Sequence, residues 1–326
     1  MGTSTRDIFG AATGAAPATP GSYGEAPRGY RLPDATHVGR VSLQVADLAR
    51  SLAFYERVLG FRTLERDGSH ATLAAHGDDR PLVELHERAG ARPMGQRARL
   101  GLYHFAILLP DRASLGRFVR HAAESGVRLG AGDHLVSEAF YLNDPDGLGI
   151  EVYADRPRDT WRRVGRELMM ATDPVDVAQL VRDAGDAPWT GMPAGTVIGH
   201  VHLHVGDVGQ AVAFFSEALG FDRIVWSYPG AVFFGAGGYH HHLGTNTWAG
   251  PGARPSAPDE ARLLEWTIEL PDAASLDAAA ESLAAAGHPV ERERDAAGDV
   301  RSAPDVVTRD PWGTAIRLRA DDGGAR

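Results

Sequence analysis

The sequence predicts an α+β chain of four βαβββ modules, paired into two open barrel-like domains. Three observations carry this expectation. Residues 38–90 realign with 198–250 at a constant offset of 160 and without a gap, VGRVSLQVADLARSLAFYERVLGF against IGHVHLHVGDVGQAVAFFSEALGF. LLEWTIELPDAASL repeats LYHFAILLPDRASL at an offset of 161, and DPWGTAIRL repeats DPDGLGIEV after a five-residue insertion. Within each copy an alternating strand leads into a helix and then into short strands. An internal repeat of this length constrains the architecture before any local element is assigned.

The elements follow in order. Residues 1–35, rich in Gly, Ala, Pro and Ser and without periodicity, are expected to form a flexible arm. Val41, Leu43 and Val45 alternate with polar positions, the two-residue period of a strand. Asp47 is placed to cap a helix over Leu48–Leu59, with Leu52, Phe54, Tyr55 and Leu59 on its apolar side and Gly60 as its stop. Strands are expected at Phe61–Arg66, His70–Ala75 and Pro81–Glu87. The order recurs from Leu100, where GLYHFAILLPD reads as a strand, Ala113–Ser125 as a helix closed by Gly126, and GIEVYAD as a last strand. Chain order then gives a first domain over 36–155 (modules one and two) and a second over 198–322 (modules three and four). The linker between them, 156–197, carries a short helix at Val175–Asp183 introduced by Asp173-Pro174.

Composition narrows the chemistry. Hydrophobic residues at 43% and charged residues at 23% are ordinary for a soluble chain. A net charge of −10 argues against a nucleic-acid partner, which needs a concentrated basic surface. No apolar run approaches the roughly 18–20 residues of a membrane span. The opening segment has no apolar signal core, so a cytoplasmic location is expected. Without cysteine, any bound metal must sit on histidine and carboxylate.

The strings YHFAILLPDRASL, DHLVSEAFYLNDPDG, GHVHLHVGD and GGYHHHLGTNTWAG resemble the four-module bacterial catechol 2,3-dioxygenases. These belong to the vicinal oxygen chelate superfamily, with glyoxalase I and the fosfomycin-resistance proteins. The resemblance covers most of residues 37–320. It implies that paired modules curl into open barrels and that metal ligands come from the first and last strands of each module.

The first-strand position, seven residues before the Asp that opens each helix, holds Arg40, His104, His200 and Glu265 in modules one to four. The last-strand position holds Glu84, Glu151, Gly244 and Arg317. Pairing modules three and four sets Arg317 where the family has Glu, and pairing one and two sets Arg40 against the metal. Pairing two and three offers His104, Glu151 and His200 with no opposing cation. That is a facial set of two histidines and one carboxylate, which leaves coordination positions open. It departs from the classical order, in which all three ligands fall in the C-terminal half.

The resemblance also implies substrate-contacting residues. Tyr141 lies ten residues before Glu151, the family's spacing for a tyrosine on substrate oxygen, and His134 sits near a further active-site histidine. His242, with His240 expected on the same face, resembles the family's acid/base histidine. A lone strand histidine is most often a packed or surface residue. His200, His202 and His204 at alternate positions, with His240–His242 in the same module, are harder to explain that way, because buried imidazoles need partners. Other features read as structural: GAGG at 235–238 as a hairpin turn with no helix after it, Glu84 as a remnant or a surface residue, Arg317 as closing an inactive second cavity. Trp161, Trp189, Trp226 and Trp248 are candidates for an apolar lid.

The resemblance therefore implies an extradiol dioxygenase that uses Fe(II), or Mn(II), to cleave catechol or a substituted catechol with O2, giving a 2-hydroxymuconic semialdehyde. The partners it implies are a small aromatic diol and O2, with self-association as in relatives. Two rival readings share the fold. One is a glyoxalase- or fosfomycin-type isomerase or transferase with His242 as a fourth ligand. The other is a non-catalytic protein that binds small molecules.

Overall fold

The computed structural model describes residues 3–10, 14–95, 99–293 and 304–321. Residues 1–2 and 11–13 of the expected arm, and residue 322 of the expected second domain, lie outside the described residues. The chain forms the four βαβββ modules read from the repeat. Their first strands are His37–Val45, Arg99–Leu108, Val197–His204 and Arg262–Leu270. Each is followed by a helix opened by an aspartate, Asp47, Asp111, Asp207 or Asp272, whose side chain accepts the backbone N–H three residues on.

The duplication survives in helix geometry. In modules one and three the helix widens to a π-helix over Tyr55–Leu59 and Val212–Ala218, ahead of the shared Leu-Gly-Phe. In modules two and four it stays α-helical over Arg112–Glu124 and Ala273–Ala285. The helix expected to run unbroken over Leu48–Leu59 thus changes register at Tyr55, and Gly60 ends it in the left-handed region at φ 84°.

Among the described residues most strands fall into two large sheets, one of nine and one of eight strands. In every module the internal order is first, last, third, second, so the first and last strands are parallel neighbours at the sheet centre. The two sheets do not follow chain order. Modules two and three share one sheet through antiparallel pairing of Arg99–Leu108 with Val197–His204, and modules one and four share the other through His37–Val45 with Arg262–Leu270. The expected grouping of 36–155 against 198–322 is corrected on this point. The physical reason is charge: this pairing sets Arg40 and Arg317 on one sheet, beside Glu84 and Glu265, and leaves the histidine-rich strands together. One apolar core, including Leu43, Phe105, Val201 and Trp266, runs through both sheets.

The N-terminal segment is corrected in part: its body packs rather than hangs free, and its tail, GYRLPDATH, which the sequence suggests lies against the first domain, contacts modules three and four. Leu32 is buried and its N–H bonds the Gly220 carbonyl, while the Tyr23 hydroxyl donates to the Gly238 carbonyl at 2.5 Å. Ser4 caps a five-residue helix, Thr5–Phe9, and Thr5 donates from its backbone and hydroxyl to Asp173. With Asp173 so engaged, the linker helix starts later than expected, at Val177, with Asp176 as its cap. Among the described residues no helix is long and apolar enough to cross a membrane.

The repeated DPDG and DPWG turns precede the last strands of modules two and four. Asp144 accepts N–H bonds from Asp146 and Leu148, and Asp310 accepts them from Trp312 and Thr314. Burial pushes the Asp144 carboxyl up from 3.8 to about 7, against the opposing effect of those backbone donors. A carboxyl whose pKa is raised on folding favours the native state below its unfolded pKa and loses that advantage as pH rises through the folded value. The melting-temperature advantage of the wild type over Asp144→Asn is therefore expected to shrink between about pH 4 and pH 7; an advantage that grows over this range would contradict the assignment.

Candidate metal centre

The site begins with strand register. Ala106, on the first strand of module two, is paired with Glu151 on one side and with His200 on the other. His104 lies two residues earlier on the same strand and so on the same face. The small Ala106 side chain lies between the three larger groups and leaves space above the sheet. A register shift lies between Ile198 and His200, at Gly199, where a Cβ would stand 1.8 Å from the Tyr153 hydroxyl. Glycine is required there for Tyr153 to pack beneath His200.

His104, Glu151 and His200 come together as a buried trio whose ligand atoms lie within 4.8 Å of one another. Glu151 Oε2 is 2.9 Å from His104 Nε2 and 3.2 Å from His200 Nε2. Only the second contact has hydrogen-bond geometry; His104 Nε2 approaches off-line and is a buried nitrogen without a hydrogen-bond partner. Burial opposes ionisation of Glu151, but His200 and His104 outweigh it and hold the carboxyl well below its ordinary range. Burial pushes the His200 imidazole down to about 4 even with Glu151 opposing, and drives His202 well below 6.5. Two imidazoles, one of them with an orphaned Nε2, and one carboxylate converge as a donor set that fits a divalent cation.

The trio opens on a cavity of about 880 Å3. Tyr141 and His134 line it with the trio. The Ala171 carbonyl accepts the His134 Nδ1–H at 2.6 Å, a tautomer in which Nε2 accepts the Tyr141 hydroxyl at 2.5 Å. Leu135, next in the turn, has φ 70°, a conformation rare outside glycine and of the kind often found beside functional residues.

His242 does not reach this cavity, contrary to expectation. Its Nδ1 accepts the Ala236 N–H, its ring lies against Tyr239 and Phe221, and it faces a separate cavity with Arg158. The reason is backbone shape. Strict alternation requires pleated strand, but the last strand of module three begins only at Leu243, and the chain bends at His240 and His242. His241 lines the main cavity instead, its ring centroid 4.0 Å from that of His200.

Other lining residues were not legible from the sequence. Of the four tryptophans offered as a lid, Trp248 lines the cavity and is 44% exposed, whereas Trp161 is buried. Tyr103 stacks against His104, His202, His204 and Trp248. The N-terminal segment and the linker complete the wall: the Thr3 carbonyl accepts the Thr172 N–H, and the Tyr228 hydroxyl meets both residues. The vacant last-strand position of module three also has a role. His202 fills it, since a Cβ on Gly244 would stand 2.9 Å from the His202 ring, and Asn246 Nδ2 donates to His202 Nε2 at 2.9 Å. Gly244→Ala overpacks this contact and is expected to cost about 1–3 kcal/mol in urea unfolding; an unchanged midpoint would show that His202 moves freely.

The model of the glyoxalase/bleomycin resistance protein/dioxygenase superfamily matches residues 37–152 and 197–318. The chain is 48% identical over 260 residues to a catechol-2,3-dioxygenase of Bacillus subtilis (strain 168), covering 78% of this chain and 90% of that one. The solved structure of a candidate dioxygenase from Bacillus subtilis subsp. subtilis str. 168 superposes with a TM-score of 0.63 at 15% identity, covering 91% of this chain and 87% of that one. Glyoxalase I of Zea mays shares the fold at a TM-score of 0.52 and 16% identity, over 88% and 92% of the two chains. The chain belongs to the glyoxalase/bleomycin resistance protein/dioxygenase superfamily, and within it is an enzyme resembling catechol-2,3-dioxygenase.

Proposed function

We propose that the chain is an extradiol dioxygenase that opens the ring of catechol, or of a substituted catechol, with O2 to give a 2-hydroxymuconic semialdehyde. The observation that carries this reading is the buried His104–Glu151–His200 trio, open on one side to a cavity walled by Tyr103, Tyr228, Phe233 and Trp248. His104, Glu151 and His200 would hold Fe(II), or Mn(II), which would supply the redox and Lewis-acid chemistry for a diol and O2. The aromatic wall suits a flat diol.

The chain's own residues handle the proton. Asp155 accepts the His240 Nε2–H at 2.9 Å, so His240 Nδ1 is an acceptor for the His241 Nδ1–H at 2.7 Å. This order leaves His241 Nε2 unprotonated, and burial with the neighbouring His200 and His240 pushes the imidazole well below 6.5. His241, rather than His242, then takes the diol proton at Nε2 and returns it later. Asp155 and His240 hold its tautomer. Tyr141, its hydroxyl donated to His134, keeps its oxygen lone pairs for a substrate hydroxyl. The glyoxalase-type reading needs a fourth protein ligand, and His242, the residue that the sequence offered, is turned to the other cavity.

Protein reconstituted anaerobically with Fe(II) and given air-saturated catechol is expected to consume O2 and form yellow product. Glu151→Ala and His200→Ala are expected to abolish the reaction, and His241→Ala to lower kcat by about 10²–10⁴, whereas His242→Ala retains it. A chain that binds metal without O2 uptake would sink the dioxygenase reading. Asp155→Asn is expected to lower kcat with bound metal unchanged; wild-type kcat in that variant would remove Asp155 from the relay.

A further inference from the structure

The sheet of modules one and four repeats the architecture of the metal-bearing sheet, but its centre is closed to a cation. Arg40 Nε lies 3.1 Å from Glu84 Oε1, and Arg317 forks onto Glu265 at 2.6 Å and 3.2 Å while also pairing Glu293 and Asp305. Guanidinium groups neutralise the carboxylates at the positions that correspond to the trio.

One strand further out, the same face carries a different group. His70 and His86 are directly opposed across the antiparallel third and last strands of module one, His70–Ala74 and Val83–Glu87. Glu84, two residues before His86, shares its face. The ligand atoms of the three lie within 4.8 Å of one another, and the imidazole centroids are 4.6 Å apart. Glu84 Oε2 is 3.8 Å from His86 Nε2 and accepts the Ser42 hydroxyl at 2.6 Å, with Arg40 on its other oxygen. Such outer partners hold a ligating carboxylate in one orientation. The His86 side chain is 42% exposed, so an ion has an open path and water can complete its coordination.

We propose that His70, Glu84 and His86 form a second metal site, separate from the trio, which takes a borderline divalent cation of the zinc class. Two imidazoles and one carboxylate favour Zn(II), Ni(II) or Cu(II) over Mg(II) and Ca(II). Arg40 at the carboxylate and the exposure of His86 weaken the site relative to the buried trio. The proposal does not depend on the reaction catalysed, because its readout is bound metal.

The test is equilibrium dialysis of the chelator-treated full chain against Zn(II), with bound metal counted by elemental analysis. His70→Ala/His86→Ala is expected to bind one equivalent fewer than the wild type, with circular dichroism and Tm of the metal-free protein unchanged. His104→Ala/His200→Ala is expected to retain that equivalent. Equal stoichiometry in the wild type and His70→Ala/His86→Ala overturns the site, as does complete loss of bound zinc in His104→Ala/His200→Ala. Because folding is monitored on the metal-free chain, a misfolded variant is recognised directly. In that event, Ni(II)-induced broadening of the His70 and His86 imidazole resonances in the wild type decides: broadening supports the site, and its absence overturns it.

Discussion

The buried carboxylate of Glu151 is the constraint around which the rest is arranged. A desolvated carboxylate needs polar partners, and the two imidazoles that face Glu151 lie on first strands, one of module two and one of module three. The two modules must therefore share a sheet. With Ala106 between Glu151 and His200, the register that joins them also sets the spacing of the three donors. Removing His200 takes away the hydrogen bond between its Nε2 and the Glu151 carboxylate, so the packing of this sheet and its fitness for a cation share that contact.

The other sheet shows the alternative solution to the same problem. Its carboxylates at equivalent positions are neutralised by guanidinium groups, which are permanently charged and bind in fixed geometry. Duplication thus yielded two scaffolds with one topology, in which the charge that balances the central carboxylates differs. On that sheet Glu84, held by Arg40 at one oxygen, still lies beside His86 and, one strand further out, His70.

Access to the main cavity is shaped by segments that carry no repeat. Thr3, the Met170–Thr172 stretch and Tyr228 wall the side away from the sheet, joined by hydrogen bonds among their backbone and hydroxyl groups. The N-terminal segment is low in apolar residues, which is why composition reads it as an arm, yet the burial of Tyr23 and Leu32 is enough to seat it. Its placement is held in part by a contact between residues 168 apart in sequence, Thr5 and Asp173.

Local physics made much of the molecule legible in the chain. Two-residue alternation marked the first strands, aspartate caps marked the helix starts, and the repeat gave the module number, because each depends on neighbours within a few positions. The residues that converge as a trio could be listed by joining the repeat to the family resemblance, which implies ligands on the first and last strands, and their pairing across modules two and three followed from which cations they had to avoid. Tertiary structure decided the remainder. The change from His242 to His241 turns on bends at His240 and His242 that no period reveals, and the use of Gly244 depends on a ring reaching across from the neighbouring strand. The docking of the N-terminal segment, like these, is set by contacts between residues far apart in sequence, where packing and charge compensation outweigh local preference.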